Sequence, residues 1–252
     1  MARVLHGVLG IVIVIGVWQL VANAIAFDML FPSPRIVGAT AYAMIASGSM
    51  LHDVGASLWR LLVALLIGVP AGILIGVAIG WWPIANAIVQ PFIRMFNAIP
   101  AIALVPFSLL WLGVTEQSRI ALLIYAVTLT VLVSTRAGVR EVSRIKLRAG
   151  ECLGVRGPAA LLKIVLPSCI PAIIIGIRTA IGLGVMVVVA AEMLGAESGV
   201  GYRLMQARSQ FDTAALMASI IGLGMLSLLL DRAFEFTVET LLPRYSAKRR
   251  IK

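Results

Sequence analysis

The chain of 252 residues is 61% hydrophobic and only 13% charged, with a formal net charge of +10 and a mean hydropathy of +1.04. A soluble domain carries roughly a quarter charged residues, so the composition excludes an ordinary soluble domain and defines an integral membrane protein. The basic excess does not mark a nucleic-acid binder, because Arg and Lys lie between and after long apolar runs rather than on one compact basic module.

At about 20 residues per membrane helix, hydropathy predicts spans near 4–26, 58–80, 87–113, 117–135, 171–194 and 214–234. The fold class is therefore all-α, with about six transmembrane helices in a single domain over 1–252. The first helix, 4–26, is peripheral, and the core covers about 56–240. Arg3, an apolar run and Ala22-Asn23-Ala24 also fit a signal peptide. The run exceeds a usual signal core, however, and Trp18 with Gln19 suits a helix near its outer interface. Phe31-Pro32-Ser33-Pro34 forces an extended turn, followed by an external segment from about 35 to 57 with room for a short helix.

The second span places Gly68, Gly72, Gly76 and Gly80 on one helix face, a pattern that permits close helix approach and points to packing. In the third, Pro91, Pro100 and Pro106 each remove a backbone donor and crowd the preceding turn. Such a segment cannot be one straight lipid-facing helix, and broken helices are tolerated where they are buried in protein or line a cavity. Asn97, Pro100, Ala101, Ala103 and Pro106 are therefore candidate pathway residues, against the alternative of purely structural kinks. Arg178, in the fifth span, is expected to snorkel to the cytosolic interface. Glu192 lies near the outer end of that span among small residues, and is either a further pathway candidate or a solvated helix end.

Positive charge accumulates in cytoplasmic loops. Its densest run is Arg136, Arg140, Arg144, Lys146, Arg148, Arg156 and Lys163, followed by the tail Arg244, Lys248, Arg249, Arg250 and Lys252. Both are placed in the cytosol, and counting helices back puts the N-terminus with Arg3 there too. Cys152 and Cys169, in or beside this loop, are expected to be reduced thiols.

Within the loop, a short helix over Leu147 to Leu153 should stop at Gly154, since glycine readily takes the left-handed conformation after a helix end. Pro158 suits the first turn of a second helix, running to about Val165. Such a projecting, partly apolar hairpin fits a dock for a cytosolic partner, or an interfacial helix among lipid headgroups. Catalytic constellations are missing. No lysine follows a glycine, so the phosphate-cradling Gly-Lys-Ser/Thr loop is absent. His6 and His52 flank the first span on opposite sides, which excludes a His-pair metal site on one helix, and there is no Gly-x-Ser-x-Gly elbow.

The spacing Gly154, nine residues, Ile164-x-Leu166-Pro167 resembles the second half of the EAA signature of binding-protein-dependent ABC importer permeases. Arg148-Ala149-Gly150 stands where that signature has Glu-Ala-Ala, so only the middle alanine matches. Further stretches resemble the nitrate, sulfonate and taurine branch. These are Leu30-Phe31-Pro32-Ser33-Pro34, Ala56-Ser57-Leu58-Trp59-Arg60, Ile99-Pro100-Ala101-Ile102-Ala103-Leu104-Val105-Pro106 with Leu110-Trp111-Leu112-Gly113, and Ala191-Glu192-Met193 with Gly199-Val200-Gly201-Tyr202. The resemblance implies a multi-pass inner-membrane permease that is not itself an enzyme and passes a small anionic or sulfonate-like solute. It implies a homodimer, a cytosolic ABC ATPase dimer carrying ATP and Mg, and an external solute-binding protein. The ATPase-coupling loop would then comprise Arg148, Ala149, Gly150, Glu151, Gly154, Ile164, Leu166 and Pro167. The contrasting function class is a self-contained channel or secondary transporter, which would more naturally show an inverted repeat and ionisable residues near the bilayer midplane.

Overall fold

Every regular element among residues 2–25 and 27–245, which the computed structural model describes, is helical. The tail residues Lys248, Arg249, Arg250 and Lys252, on which part of the expected topology rests, lie outside the described residues, as does the side chain of Arg3. In chain order come α1 (Ala2–Ile25), α2 (Pro34–Ala46), α3 (Ser49–Trp81), α4 (Pro83–Ala98), a 3₁₀ turn (Ala101–Leu104), α5 (Val105–Leu112), α6 (Glu116–Arg140) and α7 (Arg144–Cys152). Then follow α8 (Pro158–Ala160), a π turn (Leu161–Val165), α9 (Leu166–Glu192), α10 (Val200–Ser209) and α11 (Thr213–Leu241). From α8 to α9 the chain forms one continuous helix, Pro158–Glu192.

That helix, with α3, α6 and α11, is long and apolar enough to cross a membrane. Helix α4 and the Ala101–Leu112 segment make a broken span bent by 84°, and α1 supplies the apolar stretch Leu9–Ile25. All six expected segments are thus helical, with shifted bounds. Helix α1 touches the body mainly at α2, and beside that contact Trp18 Nε1 donates to Pro32 O at 3.1 Å.

The core is a three-helix stack with α6 between α3 and α9. Its glycine ladder is a packing seam. A β-carbon at Gly72 would lie 2.8 Å from Thr128 O, one at Gly76 2.8 Å from Leu132 O, and one at Gly80 2.7 Å from Val139 Cβ. On the other face of α6 both helices supply glycine, with Gly138 of α6 against Ala172 and Gly176 of α9 against Ser134. Backbones approach closely only where neither helix carries bulk, and dispersion across such seams holds membrane helices together. Leu123, Val127, Val131 and Val188 fill the space between the seams.

Several expectations change. Helix α3 begins at Ser49, well before the expected 58, because Asp53 and Ser57 find buried partners there (3% and 1% exposed). Only one of the three prolines breaks the third span. Pro91 lies inside α4, Pro106 occupies the first turn of α5, where its missing N–H has no intrahelical partner to lose, and the break falls at Ile99-Pro100. The second helix of the hairpin does not end near Val165 but continues to Glu192. The π turn lies just where the ring of Pro167 crowds the preceding turn, and so relieves that clash.

Candidate functional site

Helix α6 rises about 37 Å over its 25 residues at 1.5 Å each and so has two distant ends. At the α10 end, side chains from the four helices α3, α6, α9 and α10 form a polar clasp around a buried centre. Arg60 is central: Nη1 donates to Glu192 Oε1 at 2.6 Å and to Ser198 O at 2.8 Å, while Nε and Nη2 donate to the two oxygens of Glu116, both at 2.7 Å. The Glu192 side chain is 0% exposed. Its carboxylate also accepts from Ser57 Oγ at 2.8 Å and from the Gly201 N–H at 2.9 Å. Ser57 in turn accepts from the Val200 N–H at 3.0 Å. Charge-assisted bonds of this kind are the strong ones, and the first N–H groups of α10 are unsatisfied donors suited to an anion.

The clasp extends in both directions. Asp53 accepts from the Gly199 N–H at 3.0 Å and from Arg203 Nε at 2.7 Å. Arg119 donates to Glu116 Oε1 at 3.0 Å and to Gly195 O. Gly199 has φ +121°, and a β-carbon there would fall on the Glu192 carboxylate. At Gly201, a β-carbon would strike Val189 O. The glycines of Gly199-Val200-Gly201 are thus the space into which Glu192 fits.

At the break in the third span lies a pocket of about 270 Å³. Asn97, Pro100 and Ala101 line one side, Tyr125 and Thr130 of α6 and Met186 of α9 the others. Tyr125 Oη donates at 3.2 Å to Phe96 O, a carbonyl at the end of α4 that also accepts from the Ile99 N–H at 3.3 Å. Of the candidate pathway residues, Asn97, Pro100 and Ala101 meet here. Ala103 and Pro106 are exposed beyond the lining, and Glu192 is sealed in the clasp.

At the other end, α7 closes with a Schellman motif: the Val155 N–H donates to Gly150 O at 2.8 Å and the Gly154 N–H to Glu151 O at 3.0 Å, around Gly154 at φ +79°. Those pairings satisfy the last carbonyls of the helix. Gly150 is buried against Ile164, whose terminal methyl occupies the place of a β-carbon, so that the missing side chain docks α7 on the π turn. Leu166 and Pro167 are half-buried where α9 begins. Arg148, Ala149, Glu151 and Gly154 are exposed, as are Ile145 (79%), Leu153 (83%) and Leu162 (63%). Cys152 is exposed and Cys169 buried, both as free thiols.

Arg178 is half-exposed and paired. Its Nε and Nη2 donate to the two oxygens of Asp231 on α11, both at 2.6 Å. Sequence reasoning also passed over Arg60 as a buried charge, although an ionisable residue inside a predicted span is itself a signal. The other charges of the clasp, Glu116, Arg119, Asp53 and Arg203, sit near span ends, where charge is ordinary.

A bundle of apolar helices with a broken span, a clasped end and an exposed hairpin is the architecture of a membrane transport subunit. Residues 68–246 match the family described as "Binding-protein-dependent transport system inner membrane component", and the chain belongs to that family. It is 32% identical over 221 residues to a probable ABC transporter permease protein of Brucella melitensis, covering 88% of this chain and 89% of that one. To the taurine transport system permease protein of Escherichia coli it is 29% identical (87% and 82% covered). To a putative aliphatic sulfonates transport permease protein of Bacillus subtilis it is 28% identical (90% and 83% covered). The fold is similar to that of a chain of the methionine ABC transporter MetNI in an inward-facing form, with a TM-score of 0.58 and 20% identity over 76% of this chain and 94% of that one. The protein is thus the multi-pass inner-membrane permease component of an ABC importer, in a family whose permeases work with an ATPase and a substrate-binding protein.

Proposed function

We propose that the chain is the pathway subunit of an importer that passes a small anionic or sulfonate-like solute from an external binding protein to the cytosol, working as a homodimer. The observation that carries this reading is the hairpin, with three large apolar side chains and a basic rim held outward at the root of the continuous helix Pro158–Glu192. Exposed apolar area of that kind on a polar loop marks a protein contact. Its partner is a cytosolic ABC ATPase, which holds the ATP and Mg. The coupling residues are Arg148, Ala149, Gly150, Glu151, Gly154, Ile164, Leu166 and Pro167, of which Gly150 and Ile164 set the pose of the hairpin. The α7 end faces the cytosol together with both termini, and the α10 end faces outward.

A push on α7 would travel along one uninterrupted helix that passes Met186 in the pocket and ends at Glu192 in the clasp. The pocket of Asn97, Pro100 and Ala101 is the solute route, and Glu192 holds the outer end of the moving helix rather than the solute. The taurine and sulfonate permeases among the relatives support the solute class. The test is ATP-dependent uptake of radiolabelled taurine and of an alkanesulfonate into vesicles holding the assembled complex with its binding protein. Uptake of either is expected, and uptake of neither, with active ATPase, would refute the solute class.

A further inference from the structure

A second cavity, of about 370 Å³, lies at the α7 end between the end of α3, the start of α4, the end of α6 and the root of the hairpin. Arg140 and Arg144 line it together with Asn86 and Trp81, and Val139 and Leu147 supply apolar wall. Asn86, 8% exposed, accepts from Arg136 Nε at 2.7 Å, and Arg94 and Arg140 lie close enough to Arg136 to repel it. None of Arg94, Arg136, Arg140 and Arg144 forms an ion pair among the described residues. Arg140 and Arg144 in the wall, with Arg136 bonded to the lining residue Asn86, lack a counter-ion, whereas the clasp at the opposite end matches cation to carboxylate.

The depth of the cavity narrows the identity of that counter-ion. It sits where two spans end, with Trp81 in its wall and Trp82 beside it 56% exposed, and tryptophan settles at the headgroup level of a bilayer. Basic pockets between membrane helices at this level hold lipid phosphates. We propose that this cavity binds the phosphate headgroup of an anionic membrane lipid, with Arg140 and Arg144 as the phosphate donors and Asn86 holding Arg136 toward the same charge. Leu147 belongs to α7, so a bound lipid braces the root of the hairpin.

The test uses the permease with its ATPase, reconstituted in phosphatidylcholine vesicles doped with phosphatidylglycerol, then released and weighed by native mass spectrometry. Wild type is expected to retain phosphatidylglycerol, Arg140→Gln/Arg144→Gln to lose it several-fold, and Arg140→Lys/Arg144→Lys to keep most of it. Arg156→Gln/Lys163→Gln, which removes equal charge away from the cavity, should leave retention unchanged. An equal drop in that control would reduce the effect to diffuse attraction and overturn the proposal. So would displacement of the lipid by millimolar inorganic phosphate, which would make the cavity a site for soluble anions. Loss of bound ATPase from the glutamine pair with full lipid retention would give the face to the ATPase instead. Should the glutamine pair fail to fold, phenylglyoxal footprinting of wild type decides: protection of Arg140 and Arg144 with phosphatidylglycerol present supports the site, and equal modification without it refutes it.

Discussion

The two ends of the bundle handle charge in opposite ways. At the α10 end, Arg60, Glu116, Glu192, Asp53 and Arg203 are held against one another by charge-assisted bonds within the chain. At the α7 end, Arg140, Arg144, Lys146, Arg148, Arg156 and Lys163 carry no ion pair among the described residues, and Ile145, Leu153 and Leu162 stand exposed beside them. A paired network around the buried Arg60–Glu192 centre fixes geometry, and unpaired charge with apolar surface awaits something outside the chain. The first end is built to hold its own shape and the second to be held.

The largest effect should come from breaking the clasp. Arg60→Leu leaves Glu192 buried without its cation, and removing one partner of such a pair costs about 3–5 kcal/mol. The yield of folded permease after mild detergent extraction should fall sharply, whereas an equal loss of charge at the other end, Arg148→Gln, should leave yield unchanged. Equal yields for Arg60→Leu and wild type would erase the contrast between the ends.

A smaller effect is expected midway. Gly72→Val drives a side chain onto Thr128 O and must part α3 from α6, at a cost of about 1–3 kcal/mol for overpacking, readable as a lower thermal midpoint of the purified complex. Gly182→Val is the control, because nothing lies within 4 Å of a β-carbon there.

Smaller still in stability, though not in transport, is Ala101→Trp. The ring would fill the pocket at the break, so uptake should fall with the amount of assembled complex unchanged, while Ala103→Trp, outside the lining, should leave most of it. A further check concerns sidedness alone. In a background of Cys152→Ser and Cys169→Ser, Arg156→Cys should resist impermeant thiol reagents added outside intact cells and Ser209→Cys should react. The reverse pattern would exchange the two ends.

Much of this was legible in the sequence, for physical reasons. The glycines of α3 are spaced at one helical turn, so their face could be read before their partner was known, and the turn at Gly154 follows from the one residue that takes positive φ cheaply. The single break among three prolines was not legible, because proline breaks a helix or starts it according to what lies one turn earlier. Nor was the clasp: Asp53 and Arg203 are 150 residues apart, and only the fold brings them together. Glu192 looked like a pathway residue because an acid among small residues is equally consistent with solute and with a neighbouring backbone. Its neighbours proved to be the glycines and Arg60.

If the α7 hairpin couples this permease to its ATPase, Gly154 is where a single substitution should uncouple them. A β-branched residue at φ +79° costs about 1–2 kcal/mol in backbone strain, and no side chain lies within 4 Å of that position to be disturbed, so the damage stays in the pose of the hairpin. Gly154→Val should insert and assemble normally yet retain less ATPase after mild extraction and lose solute-stimulated ATP hydrolysis. Wild-type ATPase retention together with wild-type stimulated hydrolysis in Gly154→Val would contradict the account.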